Sequence, residues 1–263
     1  MSIDETRSTE TSLLGFGARG SQPVVLKVVR KENSEEWRSG EVLEAFRGEG
    51  MIRSLEYTAG AVLLPRLRPG HDLTTLCIEG RDDDATEILA SLMQRMSSAP
   101  VNLAGVGPVD RLQPEFAQFR NRAKGFIPAS YVDRADELFA ELCRTQRDVR
   151  LLHGDLHHYN VLFDTESHWA VIDPWGALGE IEFEIGAALR NPVDVPALLG
   201  DPTVIERRLR IYEAQLELNP DRALKWAFAM TVLAILWPFD ETIGLDLRRS
   251  FATAAQSMLR LLE

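Results

Sequence analysis

Cysteine is close to absent: the 263-residue chain has two, Cys77 and Cys143, far apart and each in an apolar, helix-like context. Neither a disulfide framework nor a C-x-x-C metal site is available, which fits a reducing compartment. Also missing is any apolar run long enough to span a bilayer, and the opening MSIDETRSTET is polar and acidic, with no leader-like apolar stretch. A soluble cytoplasmic protein is the expectation. Positive charge is in deficit, with 29 Lys and Arg against 40 Asp and Glu and a net charge of -11. That sign argues against nucleic acid or an anionic membrane as the main partner. It would attract a cationic small molecule, and it equally serves plain solubility. Repeats and low-complexity tracts are missing, no histidine follows His168, and nothing in the sequence specifies an oligomeric state.

What the chain does have is apolar material: 45% of it is hydrophobic, enough to fill one large domain or two lobes. Its polar chemistry is concentrated in LLHGDLHHYNVLFD, Leu151 to Asp164, and AVIDPWG, Ala170 to Gly176. Val161 to Phe163 and Trp169 to Ile172 read as short buried strands, which puts the polar groups at strand ends. A hairpin between those strands can bring Asp155, Asn160 and Asp173 together around a cation. Few, hard oxygen ligands suit a Mg²⁺ that completes its shell with water or nucleotide phosphates. Taken singly, an Asp before a strand is a turn former and a histidine satisfies a core hydrogen bond. Taken together, these residues favour chemistry.

H-G-D-L-H-x-x-N, a hydrophobic strand and then I-D-P resembles the catalytic and metal-binding segment of the aminoglycoside phosphotransferase family. The longer phrase through EIEFEIGAALRNP is similar to the aminoglycoside/hydroxyurea antibiotic resistance kinases, the streptomycin-phosphotransferase-like branch. The resemblance implies an α+β, protein-kinase-like fold of two lobes. Residues 1–67 would form a small antiparallel-sheet lobe with one helix, and residues 68–263 a larger, mainly helical lobe. It also implies an ATP- and Mg²⁺-dependent phosphotransferase acting on a small-molecule hydroxyl, an aminoglycoside or amino sugar, with antibiotic resistance as the associated role. By the same resemblance Asp155 receives or orients the acceptor hydroxyl, while Asn160 and Asp173 hold the metal.

Two readings from other classes stand beside it. Gly154-Asp155-Leu156-His157 also resembles the D-x-H fragment of two-metal phosphoesterases, a chemistry that needs further metal-bearing groups downstream. Pro65 and Trp175 depart from the family pattern, where a Glu and a Lys are expected, and they motivate a non-catalytic nucleotide-binding pseudokinase or interaction module.

Along the chain, about ten polar residues are expected to fray. Leu13 to Phe16 and Val24 to Val29 then read as strands joined by a Gly-rich turn, where the amides around Gly17 could cradle phosphates or simply form a hairpin. Lys27 shares a strand face with Val25 and Val29 in an apolar run, which is costly unless the lysine is paired. The kinase reading supplies a phosphate contact and a carboxylate from the next helix, Glu35 to Arg47. Glu41 is assigned that role, with Glu44 one turn on as competitor. Met51 to Tyr57 and Ala61 to Leu64 read as two more strands. AVLLPRLRPG resembles the hinge between lobes, and because Pro65 lacks a donor, adenine contacts fall to the Arg66 and Leu67 amides or to carbonyls.

Further on, a helix capped by Asp82 to Asp84, carrying Ile88 to Met96 and ended by Pro100, is followed by Pro114 to Lys124, Ser130 to Arg147, Thr203 to Leu218, Asp221 to Leu236 and Leu245 to Leu262, which also read as helices. Glu180, Glu182 and Glu184 crowd another helix start, where the dipole favours them. Candidate acceptor contacts are His157, Trp175 (stacking on a sugar or base ring), Glu180, Glu184 and Asp240, with Arg190 expected to partner the acidic cluster.

Overall fold

The computed structural model describes residues 1–32, 34–99, 103–165, 168–238 and 241–263, with backbone alone for Glu35, His168 and residues 241–243. The first 65 residues build an antiparallel sheet from β1 (Ser2–Ser8), β2 (Ser12–Arg19), β3 (Gln22–Val29), β4 (Glu56–Thr58) and β5 (Ala61–Pro65), in the order β1-β2-β3-β5-β4. Between β3 and β4 runs a short 3₁₀ turn, Glu35–Arg38, continued by α1 (Ser39–Phe46). Val42, Leu43 and Phe46 of α1 are buried beneath the sheet, as the helical spacing requires.

Three corrections concern the sheet. The opening residues are not frayed: β1 pairs with β2 from Ser2 opposite Ala18 to Ser8 opposite Leu13. Every side chain of β1 is exposed, so no apolar alternation announces it. Nor does a Gly-rich turn separate Phe16 from Val24. β2 continues through Gly17 to Arg19, and Gly17 lets β1 approach, because a Cβ there would lie 1.9 Å from the Ser2 carbonyl oxygen. The proposed strand from Met51 shortens to β4, with Met51 making only an isolated bridge to Val171.

The remaining chain is mainly helical. Its elements are β6 (Pro69–Asp72), α2 (Thr74–Ile78), α3 (Asp82–Met96), α4 (Gln113–Phe119), α5 (Ala129–Arg144), β7 (Arg150–Leu152), β8 (Val161–Asp164), β9 (His168–Val171), β10 (Ala177–Gly179), α6 (Ile181–Leu189), α7 (Pro202–Leu216), α8 (Pro220–Leu236) and α9 (Glu241–Leu262). α8 is its centre: nearly every residue from Ala223 to Leu236 is buried, and α5, α6 and α9 pack around it. Phe139, Phe183 and Trp226 meet there in edge-on ring contacts at 5.2 and 5.3 Å. Two small sheets on this base, β6-β8-β9 and β10-β7, carry the loops toward the first sheet. Among the described residues no helix is long and apolar enough to cross a membrane.

Candidate active site

The loop between β7 and β8 begins at His153, which is fully buried. Its Nδ1 accepts the Asp155 amide at 3.2 Å and its Nε2 meets the Ile172 carbonyl at 2.9 Å, so the ring is neutral with its proton on Nε2. Burial pushes His153 down to about 4, which keeps the ring neutral, while the two partners fix its tautomer. Gly154 adopts a left-handed φ of +92° directly against Trp175, where a Cβ would come within 2.4 Å of the indole. Below the loop, the Glu184 carboxylate accepts the Gly154 amide at 3.0 Å and the Leu156 amide at 3.2 Å. Burial pushes Glu184 up to about 7 in spite of those donors.

On this support the three expected oxygen-bearing residues converge. Asn160 Nδ2 donates to the Asp155 carbonyl at 3.0 Å, and the Ile172 amide donates to the Asn160 carbonyl at 2.9 Å, which ties the loop to the segment carrying Asp173. Asp173 sits at a left-handed φ of 60° and is ion-paired with Lys27 from β3. Strain of this kind persists where the surroundings fix it, and it concentrates at functional sites. Asp155 receives Arg190 Nη2 on Oδ1 at 2.9 Å and faces His157 Nε2 from Oδ2 at 3.3 Å. Burial would raise its pKa, but His157 and Arg190 outweigh that and hold it well below the usual carboxylate range.

Lys27 shows the same balance. Burial works against its charge, yet Asp173 and Glu36 together hold its pKa above the ordinary value. Its second partner corrects the sequence assignment: Glu36 Oε2 lies 2.6 Å from Lys27 Nζ, whereas Glu41 is ion-paired with Arg38. Glu36 belongs to the 3₁₀ turn that precedes α1, one step closer to the sheet than a regular helix would place its carboxylates. Ser12 Oγ also donates to Glu36 Oε2, at 3.2 Å, joining the β1–β2 turn to the same cluster.

Two cavities meet at Asp173. One, of about 470 Å³, runs between the sheet and the helical part and is lined by Leu14, Phe16, Val25, Lys27, Leu64 to Leu67 and Ile172. The other, of about 480 Å³, is lined by Glu10, Thr11, Arg30, Lys31, Ser34, Glu36, Gly154, Asp155, His157, Asn160, Trp175 and Trp237. The turn that reaches it is therefore Ser8 to Ser12, held by the Thr9 amide on the Ser12 carbonyl at 2.9 Å and by the Ser12 amide on Thr9 Oγ1 at 2.9 Å. Gly17 is not among the residues lining either cavity. It packs on β1 instead.

Five further expectations are revised. The Arg66 amide donates to the Pro23 carbonyl at 3.0 Å, so it has no free donor for a base; its guanidinium lies 4.9 Å over the Phe16 ring, and Leu67 lines the first cavity beside it. Glu180 is a buried scaffold group, accepting the Arg147 amide at 3.0 Å and binding Arg222 and Trp226 Nε1. Glu184 braces the loop from below rather than facing a chamber, and Arg190 pairs with Asp155, not with the glutamates. Trp175 lines the second cavity but is only 8% exposed, with the Arg111 guanidinium 4.8 Å over its ring and Gly154 against it, so it offers no open face for stacking. Asp240 lies outside the described residues.

The donor set fits a hard dication. Asn160 uses its side-chain nitrogen on Asp155, which leaves its Oδ1 and the Asp173 carboxylate as oxygen ligands at the junction of the two cavities. A second grouping, Cys77, Asp82 and His158, fits a metal poorly. Arg208 and Arg207 already neutralise Asp82, and burial pushes the Cys77 thiol up to about 12, far from thiolate.

Residues 2–242 match the family described as aminoglycoside/hydroxyurea antibiotic resistance kinase. The chain is 33% identical to the streptomycin 3''-kinase of Klebsiella pneumoniae over 98% of its length and 96% of that protein's. It is 30% identical to the hydroxyurea phosphotransferase of Kitasatospora aureofaciens over 86% of its length and 69% of that protein's. Among solved structures it resembles aminoglycoside phosphotransferase APH(4)-Ia in complex with ADP and hygromycin B, with a TM-score of 0.63 at 14% identity, covering 98% of this chain and 94% of that one. It resembles choline kinase LicA from Streptococcus pneumoniae with a TM-score of 0.66 at 13% identity, covering 99% and 94%. At those identities the likeness is one of fold, the protein-kinase-like arrangement.

Proposed function

The chain belongs to the aminoglycoside/hydroxyurea antibiotic resistance kinase family, and from that premise we propose that it moves the γ-phosphoryl group of ATP, with Mg²⁺, onto a hydroxyl of an aminoglycoside. The observation that carries this reading is the meeting of two cavities at Asp173, with Lys27 lining one and Glu36, Asp155 and Asn160 lining the other, and the Lys27 ammonium paired with both Glu36 and Asp173 across the junction. The cavity between sheet and helices takes the nucleotide, its apolar walls Leu14, Val25, Leu64 and Ile172 flanking the base. The Lys27 ammonium, freed from one of its two carboxylates, meets the phosphates. Asn160 Oδ1 and the Asp173 carboxylate hold Mg²⁺, which when bound supplies charge neutralisation on the phosphates.

In the second chamber an acceptor hydroxyl donates to Asp155. Its oxygen bonds to the γ-phosphorus as the bond to the ADP oxygen breaks, and its proton, acidified as that bond forms, passes to Asp155 and on to solvent as the transfer completes. Because His157 and Arg190 hold Asp155 anionic and weakly basic, its contribution is chiefly orientation. Glu10, Glu36, Asp155 and Asp173 line the chamber with Arg30 and Lys31, and since Lys27 and Arg190 already pair three of those acids, a cationic acceptor is favoured chiefly by Glu10 and by the chain's net charge of -11. Use of cellular ATP accords with a cytoplasmic location.

Transfer of labelled phosphate from ATP, measured across streptomycin, hygromycin B, simple amino sugars and hydroxyurea, tests the assignment. The expected result is Mg²⁺-dependent transfer to an aminoglycoside that Asp155→Asn lowers by about three decades with nucleotide affinity nearly kept. Transfer to none of them, or transfer indifferent to Asp155, refutes it.

A further inference from the structure

Arg190 is 4% exposed and stands just past the C-terminal end of α6, and among the described residues Asp155 is the one opposite charge that supports its guanidinium against burial. A buried, singly compensated arginine is costly to keep, because desolvation of both charges offsets much of their attraction. Its placement is fixed from several sides. The Phe251 ring of α9 lies 5.8 Å from the guanidinium carbon. The adjoining chain is held by Arg208, whose Nη1 donates to the Ala188 carbonyl at 3.2 Å and to the Asn191 carbonyl at 2.7 Å. Arg208 is in turn anchored on Asp82 of α3, with Nε 3.1 Å from Oδ2. Arg190 therefore reaches Asp155 from a rigid base with little freedom to follow it.

The consequence falls on the two carboxylate oxygens of Asp155. Oδ1 is taken by Arg190 Nη2 at 2.9 Å, whereas among the described residues Oδ2 meets only His157, at 3.3 Å. The Asp155 side chain is still 42% exposed, so one of its oxygens is open to the chamber. A free carboxylate at that exposure would rotate about χ2 and present either oxygen. We infer that Arg190 is a positioning residue: it pins Oδ1 of Asp155 so that Oδ2 is the oxygen presented to the acceptor hydroxyl. This rests on the phosphotransfer reading for its kinetic consequence, though the carboxylate geometry itself is independent of it.

Three measurements test it. Arg190→Ala and Arg190→Gln are compared with the unaltered protein for kcat, for the KM of ATP and acceptor, and for ADP affinity by calorimetry; Gln keeps volume and a donor should Ala fail to fold. The expected result is a kcat lower by about 100-fold, with the KM of ATP and the Kd of ADP within about threefold, since an error of an ångström in reactant alignment costs about that much. Added guanidinium ion should restore kcat of Arg190→Ala by about tenfold or more and leave Asp155→Asn unmoved. Should the unaltered protein transfer phosphate to no acceptor, the functional reading fails, and the inference is then decided by carbon NMR of ¹³C-carboxylate aspartate. There the signal missing from Asp155→Asn is expected to be single and narrow, and to shift and broaden in Arg190→Gln. An unchanged carboxylate signal, a kcat within threefold, or a loss that tracks weaker ADP binding and resists guanidinium overturns the proposal.

Discussion

Glu184 gives the most quantitative expectation. It is 2% exposed, burial raises its carboxyl from the ordinary 4.5 to about 7, and its oxygens accept the Gly154 and Leu156 amides. A carboxyl whose folded-state pKa lies above its unfolded value contributes stability that is fully present below the unfolded pKa and lost as pH rises toward the folded one. For Glu184 that window runs from about 4.5 to about 7. A displacement of that span corresponds to about 3 kcal/mol. Glu184→Gln keeps an acceptor oxygen for both amides and removes the titration. Urea unfolding of both proteins at half-unit intervals from pH 4.5 to 8 is the assay, read as the difference in unfolding free energy so that other titrating groups cancel. The variant is expected to gain on the parent by up to about 1.4 kcal/mol per pH unit within the window and to level off above it. A flat difference, or a variant that falls behind as pH rises, would mean that the loop amides stabilise the ionised form, and the reasoning would be refuted.

Three further expectations follow from single contacts. Lys27→Met should weaken ADP binding by about tenfold or more and Glu36→Gln should lower turnover, since charge-assisted hydrogen bonds are worth about 1.5–3 kcal/mol, while Glu41→Ala should leave ADP affinity within twofold because Glu41 pairs with Arg38. Calorimetry with ADP and initial rates distinguish the two carboxylates. Gly17→Val would drive a side chain into the Ser2 carbonyl, displacing β1 and costing about 1–3 kcal/mol; hydrogen exchange of residues 2–8 should lose protection first. Arg208→Met leaves Asp82 buried with Arg207 as its remaining cation and frees the Ala188 and Asn191 carbonyls, so thermal unfolding should fall by roughly 6–12 °C.

The sequence discloses chemistry where it is local. Asp155, Asn160 and Asp173 flank one hairpin, β8 to β9, so the pairing of those strands brings its two ends together, and the Lys27 strand reveals itself by a charge in an apolar run. Both signals need only nearest neighbours along the chain. Glu36 escaped because helical periodicity assumes one regular helix from Glu35 on, while the chain enters α1 through a 3₁₀ turn whose different angular step turns Glu36, not Glu41, toward Lys27. β1 escaped for the opposite reason: with all seven side chains in solvent it has no pattern to read, and the only trace of its docking is the pair of small residues at Gly15 and Gly17.

The glutamates and Arg190 show how electrostatics is decided at long range. Helix dipole arguments correctly favour carboxylates at the start of α6, but they say nothing about which one is turned inward. Glu180 and Glu184 became internal supports because amides from residues 147, 154 and 156, distant in sequence, were left without partners and needed acceptors. Arg190 in turn lies 35 residues from Asp155, and only the closing of α6 onto the loop makes it the nearest cation. The substrate-facing surface of the chamber thus depends on a buried layer that never meets a ligand: Glu184 sets the height of the loop, Arg190 the rotation of its carboxylate, and Arg208 the position of Arg190. Any substitution in that layer is therefore expected to show first as misalignment of Asp155, with nucleotide binding on the far side of Asp173 largely spared.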